Sequence, residues 1–211
     1  MNLLSKTICD KYNSILQNVA RMQSFVVLPD GQITEISDII NRNSLLCIVP
    51  GSFNPLHSGH KSIYDKLDSF YENIKITKMF EISLIRTEKE FLSFEDLLSR
   101  LEQFCWYAPV WVTNASLFIE KTGLIASLVR PNFHIGIDTA ERLLNYSGVV
   151  GVQGIAANFV VYSRIINNVK ADLDSLREKY KYLPFNFKSD EKIQRTMEEM
   201  QISSTLIRNS N

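Results

Sequence analysis

Two of the three histidines in this chain, His57 and His60, fall in one stretch, Gly51-Ser52-Phe53-Asn54-Pro55-Leu56-His57-Ser58-Gly59-His60. Imidazoles hydrogen-bond phosphate oxygens well, and here two of them flank a short turn. The neighbouring residues suit the same task. Gly51 lets the backbone turn away closely, while Pro55 removes an amide donor and stiffens the path. Ser58 is a natural helix N-cap, which leaves the amides of the following helical turn beside the stretch. Those amides and the helix dipole form an anion site. The stretch reads as a phosphate-binding, phosphate-polarising turn.

Further candidates lie downstream. Asp138 follows Phe133-His134-Ile135-Gly136-Ile137, and a carboxylate there can accept hydrogen bonds from ribose hydroxyls. Asp138 and Glu141 also have capping-box spacing, and the two roles can coexist. His134 alternates to the face opposite Ile135 and reads as structural. Ser203 and Ser204 stand where a helix would start, with Arg208 one turn later on the same face. Hydroxyls, amides and a guanidinium so placed either hold a polyphosphate tail or simply cap a terminal helix. Lys89 reads either as a phosphate contact or as a solvated loop charge, and Arg100 as a surface charge. Thr113 and Asn114 end a strand where they can face the site. Trp111 reads first as a packed ring.

These side chains need a scaffold that brings strand ends together. Leu45-Leu46-Cys47-Ile48-Val49 is an apolar run of buried-strand type, and Ile63, Leu67 and Phe70 then mark one face of a helix. Further strands are expected over 78–85, 109–114, 133–137 and 159–162. Between them, Ser93 opens a helix with Asp96 in capping-box spacing, and its buried stripe is Phe94, Leu97, Leu98, Leu101 and Phe104. Another helix is expected from about Ala115, a connector or flap over the glycine-bearing 145–158, and a charged surface helix over 171–180. The fold expected is α/β: a Rossmann-like, doubly wound parallel sheet of about five strands with flanking helices. Ligands of such sheets bind beyond the strand ends.

Ahead of this pattern, Leu4, Ile8, Tyr12, Ile15, Leu16 and Val19 predict a helix over about 3–20, and a hairpin turns at Pro29-Asp30-Gly31. The segment is either a cap on the sheet or a dimerisation element, so a homo-oligomer stays open. With 211 residues, 45% hydrophobic and 22% charged, the chain suits one domain, with or without an appendage. Zero formal net charge gives no bulk attraction to nucleic acid or membrane, and neither is expected as a partner. Cys9, Cys47 and Cys105 are odd in number and lack Cys-x-x-Cys spacing, which argues against a disulfide framework or a zinc site. No apolar run has the length of a membrane span and none forms a signal-peptide core, so a cytoplasmic enzyme is expected.

The stretch from Gly51 to His60 resembles the signature of the nucleotidyltransferase superfamily with the His-x-Gly-His motif. Within it, the likeness is nearest to nicotinamide and nicotinate mononucleotide adenylyltransferases. Residues 133–143 are similar to that family's strand ending in Gly-x-Asp, and Ile202-Ser203-Ser204-Thr205-Leu206-Ile207-Arg208 to its late Ile-Ser-Ser-Thr-x-x-Arg motif. The resemblance places a catalytic domain at 44–211 and leaves 1–43 as an extension. It implies transfer of a nucleotidyl group, AMP from ATP, to a mononucleotide such as nicotinamide or nicotinate mononucleotide. Pyrophosphate would leave, and Mg²⁺ would ride on the triphosphate with no protein carboxylate cluster to hold it.

By the same resemblance His57 and His60 are catalytic, and Gly51, Ser52, Phe53, Gly59, Gly136, Asp138, Ser203, Ser204 and Arg208 bind nucleotide. Trp111, Asn114 and Lys89 fall on the acceptor side, and Arg164 matches a position that is often basic. The sequence departs from the family at Arg86-Thr87-Glu88-Lys89, where an Asn-x-Asp-Lys pattern is expected and only the lysine is kept. Two other readings therefore stand: a different phosphate acceptor, of pantetheine or choline type, or a nucleotide-binding module with weak ATP hydrolysis. An aminoacyl-tRNA synthetase would share the histidine signature but needs a longer chain.

Overall fold

Strands rich in Val, Ile, Leu and Phe and buried on both faces are what a central parallel sheet demands. Leu45–Pro50, with its four middle residues buried, is the clearest case. The computed structural model describes residues 3–85, 90–166 and 169–188. In chain order these form α1 (Leu3–Gln17), β1 (Ser24–Val27), β2 (Ile33–Thr34), α2 (Ile36–Ile39), β3 (Leu45–Pro50), α3 (Ser58–Phe70), β4 (Ile76–Ser83), α4 (Phe94–Glu102) and β5 (Val110–Thr113). Then come α5 (Phe118–Ile125), β6 (Asn132–Gly136), α6 (Ile137–Gln153), β7 (Asn158–Tyr162), β8 (Arg164–Ile166), β9 (Val169–Ala171), α7 (Leu173–Lys179) and β10 (Phe187–Lys188).

Eight of these strands make one sheet in the order β10-β7-β6-β3-β4-β5-β1-β2. From β10 to β5 all neighbours run parallel. β1 joins β5 antiparallel, pairing Ser24 with Thr113 and Val27 with Val110, and β2 pairs antiparallel with β1. The expected five strands are the parallel centre. The sheet is larger because the hairpin ahead of them extends one edge and the short β10 extends the other. β8 and β9 form a separate two-stranded ladder.

The chain winds from β3 through β4 to β5, then returns across the sheet to lay β6 on the other side of β3. That reversal puts the topological switch point between β3 and β6, the place where such sheets leave a crevice at their carboxyl ends. Two apolar layers cover the sheet. One gathers Ile8, Tyr12 and Ile15 of α1 with Ile63 and Leu67 of α3 and Leu97 and Leu101 of α4. The other gathers Ile36, Ile125, Ala140, Leu143 and Leu176 from α2, α5, α6 and α7. The glycine-bearing segment expected as a connector is mostly helix: α6 runs to Gln153 and absorbs Gly148 as a kink at φ 64°, ψ 170°. Buried Leu143, Leu144 and Val152 hold it to the sheet despite the glycines.

Candidate active site

β3 ends at Pro50, and the chain then makes the seven-residue turn 51–57 into α3. Gly51 is required there by contact, since a Cβ would stand 2.7 and 2.8 Å from carbons of the Phe53 ring. Phe53 adopts φ 45°, a left-handed conformation unusual for a residue with a side chain. Its ring anchors that backbone: it is fully buried, edge-on to Phe80 and Phe104 at 5.2 Å each and to His60 at 4.8 Å. The Asn54–Pro55 peptide is cis. Ser52 lies exposed at the surface of the turn.

The cap of α3 is His57 rather than the expected Ser58. Its Nδ1 accepts a hydrogen bond from the Gly59 N–H at 3.1 Å. A neutral imidazole that accepts at Nδ1 carries its proton on Nε2. The cap therefore fixes His57 as an Nε2–H donor. Gly59 is buried in the first helical turn, and His60 follows with its ring stacked on His57, centroids 3.8 Å apart. Among the described residues His60 Nδ1 is buried without a hydrogen-bond partner. Burial first, and His57 second, pushes the His60 pKa down to about 3, so its ring is neutral. Two neutral rings, several backbone amides and a helix N-terminus thus converge at the carboxyl end of β3.

β6 delivers the second part. Ile48 pairs with Phe133, so Gly51 and Gly136 leave adjacent strands at the same level, each three residues further on. Gly136 is exposed and caps α6, with open space where a side chain would stand. Asp138 sits partly exposed in the first turn of α6, where a carboxylate also suits the helix dipole. The two strand ends flanking the switch point therefore carry the histidine turn and the Gly136–Asp138 pair.

The acceptor-side candidates are placed differently. Trp111 is completely buried in the layer under α5, and its indole N–H has no partner among the described residues. Asn114 is completely buried too, and both ends of its amide are occupied: Oδ1 accepts from the Gln23 N–H at 2.7 Å and Nδ2 donates to the Arg21 carbonyl at 2.8 Å. It ties the segment before β1 to the sheet instead of facing a ligand. Lys89, Ser203, Ser204 and Arg208 lie outside the described residues, and Arg164 begins β8.

Three features escaped the sequence reading, and of a fourth, the structural His134, only the partners did. Arg100, expected as a surface charge, is only 6% exposed, and its Nη1 donates to the Ser52 carbonyl at 2.7 Å. Gln103 holds the same turn twice, donating from Nε2 to the Phe53 carbonyl and accepting the Leu56 N–H at Oε1. Under the carboxyl ends of β4 and β5, Lys121 and Glu81 form a buried ion pair at 2.7 Å, with Thr113 donating to the other carboxylate oxygen. The fourth is a polar group inside the sheet: His134 Nδ1 lies 2.6 Å from the Tyr162 hydroxyl and Nε2 3.4 Å from that of Tyr71. None has a local signature, because every partner is remote in sequence. Among the described residues no group of three or more His, Cys, Asp or Glu is arranged to hold a metal ion. None of the helices described is long and apolar enough to cross a membrane.

The turn thus sits at the switch point of a parallel sheet, where α/β folds of this class bind their ligands. The sequence matches the cytidylyltransferase-like family over residues 48–210, and the chain belongs to that family of nucleotidyltransferases. Its fold is similar to Plasmodium falciparum nicotinic acid mononucleotide adenylyltransferase complexed with NaAD. That match has a TM-score of 0.51 and 16% sequence identity, and covers 79% of this chain and 83% of the other. The same Plasmodium falciparum enzyme complexed with APC matches over the same shares at 16% identity, with a TM-score of 0.47. No curated protein matches the sequence.

Proposed function

We propose that this protein transfers a nucleotidyl group, AMP from ATP, to the phosphate of a mononucleotide of the nicotinamide or nicotinate type, releasing pyrophosphate. The observation that carries the reading is the pair of neutral, stacked histidines whose cap geometry fixes His57 as an Nε2–H donor beside a helix N-terminus. An oxygen of the acceptor phosphate attacks the α-phosphorus as the bond to the pyrophosphate oxygen breaks, and no covalent enzyme intermediate is required. His57, His60 and the amides of Ser52 and Phe53 stabilise charge growing on the transferred phosphoryl oxygens. Asp138 would accept hydrogen bonds from ribose hydroxyls at the end of β6. Ser203, Ser204 and Arg208 are assigned to the leaving pyrophosphate by motif alone. Mg²⁺ would be held by the triphosphate and water, neutralising charge in the ground state. The enzyme would work in the cytoplasm on small nucleotides, with neither nucleic acid nor membrane as partner.

The test is pyrophosphate release from ATP, and from CTP, with and without nicotinamide mononucleotide, nicotinate mononucleotide, phosphopantetheine and phosphocholine. Acceptor-dependent release with ATP and one of the two pyridine mononucleotides is the expected outcome. Release with CTP or with another acceptor would reassign the substrate. Slow release that ignores every acceptor would make the protein a nucleotide-binding module with residual hydrolysis.

A further inference from the structure

The histidine turn does not hold its own shape. In a trans peptide the carbonyl and the N–H point in opposite directions, so fixing one aims the other. The Ser52 carbonyl is fixed by the buried Arg100 guanidinium at 2.7 Å, which aims the Phe53 N–H away from α4. The Phe53 carbonyl is fixed by Gln103 Nε2 at 3.1 Å, which aims the Asn54 N–H in the same sense. Gln103 Oε1 takes the Leu56 N–H at 2.7 Å, closing the far side of the turn. The N–H groups of Ser52, Phe53 and Asn54 themselves meet no acceptor among the described residues. A left-handed residue within such a run, here Phe53, is what gathers successive amides into a concave anion cradle.

We infer that Arg100 and Gln103 are positioning residues for the reaction: α4 aims the amides of the turn at a phosphoryl oxygen, and Arg100 polarises the peptide that donates. This rests on the transferase reading above and deepens it. Arg100 acts through the peptide that its Nη1 holds. Its charge strengthens the Phe53 N–H as a donor because hydrogen bonds in series reinforce one another in a low dielectric. Such a contribution grows with the charge on the phosphoryl oxygen, so it appears in turnover more than in ground-state affinity.

The experiment compares wild type with Arg100→Ala, Arg100→Lys and Gln103→Met in three readouts: melting temperature, tripolyphosphate affinity by calorimetry, and kcat and KM for transfer. Arg100→Ala is expected to lower kcat about a hundredfold with KM for ATP changed by only about threefold, in the range for losing one preorganised donor. Guanidinium ion at millimolar concentration should restore part of that rate, and Arg100→Lys should keep more of it than the alanine variant. Gln103→Met, nearly isosteric and partly exposed, should fold normally, bind tripolyphosphate about tenfold more weakly and lose kcat by a similar factor. If Arg100→Ala does not fold, Gln103→Met decides. Folded variants whose kcat and tripolyphosphate affinity stay within twofold of wild type would overturn the inference. A wild-type protein that binds tripolyphosphate but transfers nothing would sink the transferase reading while the affinity series still decides this one. A wild-type protein that binds no polyphosphate would overturn both.

Discussion

The three histidines occupy two regions: His57 and His60 are partly exposed in the turn, whereas His134 is 1% exposed, and the two regions differ in what surrounds their rings. His60 sits in the turn at the carboxyl end of β3, with its Nδ1 buried and lacking a partner among the described residues. His134 is buried under α3 with both ring nitrogens facing tyrosine hydroxyls. Burial lowers both pKa values to about 3, so the shift alone does not separate a functional ring from a structural one. Satisfaction does. Native interiors pair most of their buried polar atoms; among the described residues the unpaired side-chain atoms are His60 Nδ1, the Trp111 indole N–H, Ser163 Oγ and Asn186 Oδ1, and of these only the first lies in the histidine turn. Among the described residues one polar cluster thus has both ring nitrogens facing partners, and the other keeps one ring nitrogen unpaired.

The largest effect expected from this contrast is on turnover. His57→Asn keeps a good helix cap and removes the Nε2 donor, so transfer should fall roughly a hundredfold or more while the melting temperature moves little. His57→Ala should add a stability loss of about 1 kcal/mol through the cap. His60→Ala should match the loss of turnover, with a modest further cost because its ring packs on Phe53. Steady-state kinetics beside thermal melts separate the two effects. Normal turnover in either variant would remove these rings from the chemistry.

His134→Leu should do the reverse. It leaves the hydroxyls of Tyr162 and Tyr71 facing a hydrocarbon, and stability should drop by about 2 kcal/mol or more in urea unfolding. Turnover per folded molecule should remain within a few-fold of wild type. A folded, stable His134→Leu with abolished transfer would join the two regions into one functional unit.

The contrast was partly legible in the sequence. Alternation and apolar runs marked β3 to β7 because parallel strands buried on both faces leave a compositional trace. The Ser93 cap was readable from neighbouring residues and is formed, its hydroxyl accepting from the Asp96 N–H. The α3 cap was misread because serine is the common choice, while an imidazole Nδ1 one residue earlier reaches the same amide. Arg100 flanks the apolar stripe of α4, and its burial depends on a turn far away in sequence, which periodicity does not see. The Glu81–Lys121 pair was invisible for the same reason, as was the commitment of Asn114 to Arg21 and Gln23.

A pH titration sharpens the comparison further. Both rings are neutral in the fold and carry pKa values near 3, against 6.5 when unfolded. Between those values the unfolded chain binds more protons, so stability is full above pH 6.5 and falls as the pH is lowered toward 3. From pH 6.5 to 5 the loss should be about 2 kcal/mol for each ring. Tripolyphosphate, by bringing negative charge to His60, should raise that pKa and flatten its half of the slope. In His134→Leu the ligand should then remove most of the remaining dependence on pH. A slope indifferent to both the ligand and the substitution would show that neither ring is held neutral by the fold.

The smallest effects come from within the His134 cluster. A neutral imidazole offers one N–H and one lone pair, and each tyrosine hydroxyl can meet either, so both sides of His134 can be satisfied at once. The contacts are unequal. The Tyr162 oxygen lies 2.6 Å from Nδ1, a strong bond, whereas the Tyr71 oxygen lies 3.4 Å from Nε2, at the outer limit. Tyr71 also bonds the Cys47 thiol, whose pKa burial pushes up to about 12, so the sulfur stays protonated and loses little if that hydroxyl goes. Tyr162→Phe is therefore expected to cost about 1 kcal/mol or slightly more, and Tyr71→Phe about half of that. Combined with His134→Leu, the Tyr162 change should cost much less than it does alone, because the bond it removes is already gone. Urea unfolding of the four proteins in that cycle measures the coupling directly. A coupling near zero would mean that the short contact holds nothing together, and the line between a satisfied histidine and an open one would have to be drawn on other grounds.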